Sequence, residues 1–344
     1  MKRGCFMQLR NIYGVDLGTS TVKIYSKKRN TITKEKNMIA VRNHEDVLAV
    51  GNEAYEMYEK APGNVTVGSP MAFGMIADIG NAEFVLQTLL HRTDRHLGRN
   101  PMLYFAVPTD MTEIETRAYY AIASAGELRK SKVFLVEKPI ADALALGIPL
   151  NRTRGSMIVN FGAETTEISV LADARVIISK NIPVGGAQLD QSICEQVRKQ
   201  NSLFIGRRTA GRLKMALAST DNRIQEGRRI MGIDSISGLP RKDTVTSHTV
   251  SAALEEPLKT IIQEVCSFLT RIPPQIRQNI EREGIYLTGG STRIPGIEKT
   301  FALGTACKIQ LSNYYDSCTI CGLKELITHE ALQKYAFTAR KKKK

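Results

Sequence analysis

At 344 residues the chain is too long for one ordinary hydrophobic core and suits two domains. Its 42% hydrophobic and 24% charged residues exclude a disordered chain, and no apolar run approaches the roughly 18 residues of a membrane span. The 48 Lys+Arg against 34 Asp+Glu leave a net charge of +14, which favours an anionic partner. With no Trp and no basic helix interleaved with aromatics, that partner is expected to be a membrane surface or an acidic protein rather than nucleic acid.

The opening MKRGCFMQLRNIYGVDLG is basic at first, but Arg10, Asn11 and Asp16 break any apolar signal core, so a cytoplasmic protein is expected. Phe6, Met7 and Leu9 are the apolar residues available for a short membrane anchor, too few to hold without many copies or help from the lysine-rich end. An ordinary frayed terminus is the competing reading of each end. Six cysteines without a disulfide framework fit a reducing compartment. Cys318 and Cys321 have CxxC spacing but no second pair, which reads as two cysteines on one face of a short helix rather than a zinc site.

IYGVDLGTSTVKIYS, residues 12–26, reads as strand, Gly-containing turn, strand. MLYFAVP (102–108) is a buried strand, and TEIETRAYYAIASAG (112–126) is an amphipathic helix closed by Gly126. KVFLVEKP (132–139) is another strand, and IADALALGIP (140–149) a helix. A second hairpin follows in SMIVNFGAETTEISVL (156–171), then helices in GAQLDQSICEQVRKQN (186–201) and SAALEEPLKTIIQEVCSFLTRI (251–272). GIYLTGGSTRIPGIEKTF (284–301) reads as strand, Gly-rich turn and helix, with small residues that permit close approach of a flat or phosphorylated ligand. Strands alternating with helices indicate α/β layers.

The hairpins repeat one another: Asp16-Leu17-Gly18-Thr19-Ser20-Thr21 matches Asn160-Phe161-Gly162-Ala163-Glu164-Thr165, at a separation natural for a duplicated domain. Such turns hold phosphates against backbone N–H groups.

Taken in order, VDLGTSTVK, VGSPMAFGMIADI, KVFLVEKPIADALALGIPL, NFGAETTEISV, IPVGGAQLDQSI, TAGRLKMALAS, SGLPRKDTVT and PPQIRQNIEREGIYLTGGSTRIPGI resemble the motifs of the actin-like ATPase superfamily. The resemblance is strongest to the MreB family of bacterial rod-shape-determining proteins and covers about residues 10–330. It implies an α/β, actin-like duplicated two-domain (four-subdomain) fold with an interdomain nucleotide cleft. The domains expected are 1–149, with a small subdomain about 32–75, and 150–321, with a small subdomain about 187–243; 322–344 would supply a helix returning to the first domain and a basic tail.

The resemblance also implies ATP or ADP with Mg2+, held by Asp16, Gly18, Thr19, Ser20, Gly162, Thr165, Gly185, Gly186, Lys214, Gly289, Gly290 and Ser291, with Asp16 reaching the metal through water. It further implies self-assembly into filaments on the inner face of the cytoplasmic membrane, with wall-elongation and membrane-anchoring proteins as partners. An active actin-like ATPase and a monomeric actin-fold adaptor at a membrane complex stay open as alternatives.

Four departures bear on the chemistry. The second hairpin carries Asn160 where the family has Asp, so it offers Mg2+ no charge. Ala163 and Glu164 replace glycines, and at about 5 Å from a phosphate charge Glu164 would cost roughly 3 kcal/mol at an effective dielectric of about 20. Lys138 precedes Pro139 where the family has its catalytic Glu, and an ammonium can neither accept a proton from water nor orient its lone pairs in the same way. Gly211 stands for a Glu expected near the ribose, and Ala187 for an Asp. ATP hydrolysis is therefore expected to be weak or absent.

Overall fold

The computed structural model describes residues 11–221 and 226–338. The basic start with Cys5, Phe6, Met7 and Leu9, and the lysine-rich end, lie outside the described residues. The described chain divides into two units, one of residues 11–57, 62–141 and 319–338, the other of residues 58–61, 142–221 and 226–318.

Alternating β-branched and aromatic residues make Ile12–Leu17 and Thr21–Ser26 the first hairpin, paired antiparallel from Tyr13–Ser26 to Leu17–Val22. Nearly every residue of these strands is buried, because helices cover both faces of the sheet. Gly14 leaves room for one of them: a Cβ there would lie 3.0 Å from Ile327 and 3.2 Å from Leu323 of helix Cys318–Thr328. Strands Met102–Val107 and Lys132–Glu137 extend the sheet in parallel, and Thr31–Lys36 closes its other edge. The order is Lys132–Glu137, Met102–Val107, Ile12–Leu17, Thr21–Ser26, Thr31–Lys36.

The second unit repeats that order. Ser156–Phe161 and Thr166–Ala172 form its hairpin, Arg175–Ile182 continues the antiparallel side, and Ile285–Thr288 and Ile309–Leu311 add parallel strands on the other. Each unit has its own apolar core, around Val15, Leu86, Phe105 and Leu135 in the first and Val159, Leu189, Leu213 and Ile261 in the second. Each also carries a small three-stranded sheet: Asp46–Val50, Ile39–Arg42 and Val65–Gly68 in the first, and Leu203–Phe204, Gly227–Asp234 and Pro240–Thr246 in the second.

Three helices differ from the sequence reading. The one expected over 140–149 runs Lys138–Ala145, so it begins inside the expected strand end and stops four residues early. The one expected over 112–126 is Glu113–Ala121, opened by a reciprocal Thr112–Glu115 capping box. It stops short of Gly126 because Ala123 and Ser124 N–H turn to the carbonyls three residues back, tightening the chain into a 3-10 turn. The third runs Ser247–Thr270 rather than starting at Ser251, since Thr246 caps it by accepting the Thr249 N–H. Among the described residues no helix is long and apolar enough to cross a membrane.

Candidate functional site

The two hairpin turns have the same geometry. Gly18 N–H donates to Thr21 O at 3.1 Å, and Gly162 N–H to Thr165 O at 2.9 Å. A Cβ on either glycine would fall 2.9 Å from that same carbonyl, so the turn requires glycine for close backbone approach. In the first turn, buried Asn37 is a brace that the sequence reading missed. Its backbone N–H donates to Ser20 O at 3.0 Å, and its side-chain amide to Gly18 O at 2.9 Å. Thr19 is held from the other side, its Oγ1 accepting the Gly74 N–H and its carbonyl the Ser69 hydroxyl. Ser20 is exposed at the tip.

At the end of the first hairpin Asp16 stands opposite Lys23 in the strand register. Their side chains are 7% and 6% exposed, and Lys23 Nζ lies 2.8 Å from Asp16 Oδ2. The signal for Lys23 was available in hairpin symmetry, because a turn at residues 18–21 sets 16 across from 23.

In the second unit the structure brings most of the expected residues together. The turn at Gly162–Thr165 rests on the start of helix Gly186–Asn201: Gly186 N–H donates to Gly162 O at 3.0 Å and Ala187 N–H to Ala163 O at 2.7 Å. A Cβ on Gly185 would meet Ala163 O and the Glu164 carbonyl carbon at 2.7 Å, so Gly185 is the contact that lets turn and helix close. The free N–H groups of this helix start are thereby spent partly on the hairpin.

Lys214, from helix Arg207–Leu217, reaches the same place. Its ammonium donates to Gly186 O at 2.7 Å and pairs with Asp190 Oδ1 at 2.7 Å. Gly211, one turn earlier on that helix, faces the Asp190 carboxylate, whose nearest atoms would lie 3.7 Å from an added Cβ. Asp190 thus supplies an acid beside the position where Gly211 lacks one.

Gly289 has φ +100° and packs on Phe161, whose carbonyl would lie 2.3 Å from a Cβ, so the Gly-Gly loop is seated directly on the second hairpin. Ser291 is buried, and Gly290 faces Asp316.

The family's acidic positions are occupied as follows. Asn160 donates its side-chain N–H to Asp142 Oδ2 at 2.7 Å, and Asp142 is 1% exposed. Asp142 comes from helix Lys138–Ala145 and lies inside an apolar run, a buried acid that the sequence reading passed over. Lys138 opens that helix, half-buried, directly after strand Lys132–Glu137. Glu164 is half-buried in its turn. Cys318 and Cys321 share the helix Cys318–Thr328, and among the described residues no group of three or more His, Cys, Asp or Glu is placed to hold a metal.

These residues fit a nucleotide and fit Mg2+ poorly. The glycine turns suit close approach of a phosphate to the backbone, and glycine at 186 lets Ser291 Oγ and Lys214 Nζ, 3.1 and 3.3 Å from where a Cβ would lie, close on the helix start. Mg2+ prefers carboxylates. The carboxylate of the first hairpin is already ion-paired to Lys23, and the second hairpin presents a neutral amide whose N–H is committed to Asp142.

Two units of one sheet order, each centred on a hairpin with a glycine turn, define an actin-like protein. The family model described as MreB/Mbl protein matches residues 10–335. The chain is 30% identical over 329 residues to the cell shape-determining protein MreB of Escherichia coli K12, covering 93% of each. It is 33% identical over 294 residues to the cell shape-determining protein Mbl of Bacillus subtilis, covering 84% of this chain and 87% of that one. Among solved structures it is similar to MreB5 of Spiroplasma citri bound to ADP, with a TM-score of 0.88, 27% identity and coverage of 95% and 98% of the two chains. The MamK double helical filament, at 19% identity and a TM-score of 0.76 over 93% of this chain and 99% of that one, shares the fold. This chain belongs to the MreB/Mbl family.

Proposed function

We propose that this protein is a cytoskeletal element that sets cell shape. It assembles into actin-like filaments on the inner face of the cytoplasmic membrane and organises wall synthesis with wall-elongation and membrane-anchoring partners. A bound adenine nucleotide controls assembly and is hydrolysed slowly or not at all. The observation that carries this reading is the matched pair of glycine turns, Gly18–Thr21 and Gly162–Thr165, kept while the acids around them have changed. Support also comes from relatives that are cell shape-determining proteins, from a similar structure that binds ADP, and from a net charge of +14 suited to an anionic surface.

In this reading Asp16, Gly18, Thr19, Ser20, Gly162, Thr165, Gly185, Gly186, Lys214, Gly289, Gly290 and Ser291 serve the nucleotide. Lys138 leaves the attacking water without a base.

Calorimetric titration with ADP and ATP, followed by sedimentation with and without anionic vesicles, tests it. Binding at micromolar concentrations and nucleotide-dependent pelleting are expected; a folded protein that binds no nucleotide and never pellets would sink the reading in favour of a monomeric adaptor. Substantial ATP turnover abolished by Asp16→Asn would instead establish an active ATPase.

A further inference from the structure

We propose that the outer face of the small sheet in the second unit, with its hairpin tip at Ile236 and Leu239, is a docking surface for an anionic lipid bilayer. The proposal rests on the membrane part of the reading above and names an element that makes the contact.

Strand alternation divides the side chains of Leu203–Phe204, Gly227–Asp234 and Pro240–Thr246 between two faces. Leu203, Ile230 and Val245 turn inward and pack in the core of the unit. Phe204 stands opposite Ile233 in the register, Met231 lies two residues before Ile233 on the same strand, and all three are exposed. An antiparallel sheet with one wet face normally carries polar residues there. Here that face carries an apolar stripe, and the hairpin adds Ile236 and Leu239 at its tip, 90% and 65% exposed.

The tip is ordered by its own hydrogen bonds. Asp234 Oδ1 accepts the N–H of Ile236 at 3.0 Å and of Ser237 at 2.8 Å, while the Asp234 carbonyl accepts the Gly238 N–H and the Asp234 N–H donates to Leu239 O. A turn fixed in this way loses little freedom on contact. The Asp234 charge is met by Arg241 Nε at 2.9 Å, so it does not present an unpaired acid to an anionic surface.

Charge decides the occupant. Arg229 shares the outer face with Met231, and Lys242 stands opposite Met231 in the register; both are exposed. A second copy pressed on by the same face would set these cations against their own kind, and the lysine-rich end of this chain would be repelled likewise. An acidic peptide would satisfy the cations, but it would need a groove in which to bury itself, whereas Ile236 and Leu239 stand out in solvent. A bilayer with anionic headgroups suits both features: protruding apolar side chains enter the acyl boundary, and the cations lie among the phosphates. One such contact is weak, and a filament would repeat it.

The chain has no Trp, so Ile236→Trp places a single reporter at the tip. The full-length variant is titrated with phosphatidylglycerol vesicles and with phosphatidylcholine vesicles, and Met215→Trp, at an exposed position of helix Arg207–Leu217, serves as the reference. With anionic vesicles the Ile236→Trp emission is expected to shift to the blue and to be quenched by brominated acyl chains, while the Met215→Trp emission stays in place. In sedimentation with the same vesicles, Ile236→Ser/Leu239→Ser and Arg229→Gln/Lys242→Gln are each expected to bind at least about tenfold more weakly than wild type. If a serine or glutamine variant is unfolded by circular dichroism, the reporter pair decides alone. Emission at 236 that ignores anionic vesicles, answers both lipids equally or moves no more than at 215, while wild type sediments with anionic vesicles, overturns the proposal and leaves the membrane reading standing. A blue shift at 236 that grows with protein concentration in the absence of vesicles assigns the tip to a contact between copies and also overturns it. A wild-type chain that does not sediment with anionic vesicles overturns the membrane part of the reading, and the proposal with it.

Discussion

Asn160 donates its side-chain N–H to the buried carboxylate of Asp142 at 2.7 Å, so the acid in this part of the second unit is carried by a helix instead of by the hairpin. An amide and a carboxylate form a favourable pair, whereas two carboxylates at that separation cannot both ionise. The position of Asn160 is therefore tied to the presence of Asp142.

Asn160→Asp is accordingly expected to destabilise the protein by about 2 kcal/mol or more near neutral pH. The sign with pH follows from the forced carboxylate pair, which raises the folded-state pKa of one member. Stability is kept while that member is protonated and lost as pH rises, so the deficit in melting temperature should be larger at pH 8 than at pH 5. Adding Asp142→Ala should recover most of the loss. Thermal melts of the single and double variants at both pH values provide the measurement, and a pH-independent deficit would count against the pairing.

Lys138→Glu restores an acceptor beside Pro139. General acid–base groups typically contribute about 10²–10⁴-fold to rate. Phosphate release from ATP should rise at least about tenfold over the wild-type rate in the variant, provided nucleotide binds. An unchanged rate would mean that the limiting defect lies elsewhere, with Glu164 the first residue to examine.

Gly211 lies within helix Arg207–Leu217, where glycine is costly, and the nearest atoms to an added Cβ would be those of the Asp190 carboxylate at ordinary contact distance, 3.7 Å. Gly211→Ala should stabilise the protein by up to about 1 kcal/mol in urea unfolding. Gly211→Glu should lose much of that gain, because it sets a second negative charge against Asp190.

Cys194, on helix Gly186–Asn201, has its thiol pushed up to about 11 by burial, reinforced by Asp190. The reactive species is the thiolate, whose fraction rises with pH until the pKa is passed. At pH 8 its alkylation, followed by peptide mass spectrometry, should be about a hundredfold slower than that of a small thiol of ordinary pKa. Each unit of pH toward 11 should speed it about tenfold. Fast labelling at pH 7 would show that the helix face is open.

Much of the architecture was legible in the order of residues. Alternation through Ile12–Leu17 and Ser156–Phe161, each ending in an acid or amide, an apolar residue and Gly, marks both hairpins because strand period and turn chemistry are local properties. The replacements at Lys138, Asn160, Glu164 and Gly211 are likewise visible as residue types. The end of the helix at Ala121 was not, since Gly126 is a plausible stop and the choice to tighten earlier depends on competing backbone partners.

What those residue types do was decided by the tertiary structure. Lys23 becomes a buried cation only because the hairpin register sets it against Asp16. Asp142 meets Asn160, and Asp190 meets Lys214 and faces Gly211, because sheets and helices bring side chains distant in sequence within hydrogen-bonding or contact range. Gly185 and Gly186 are committed to the hairpin turn for the same reason. Local pattern determines elements, because backbone geometry and side-chain period act over a few residues. Charge compensation acts through space, so the identity of each partner waits on the fold.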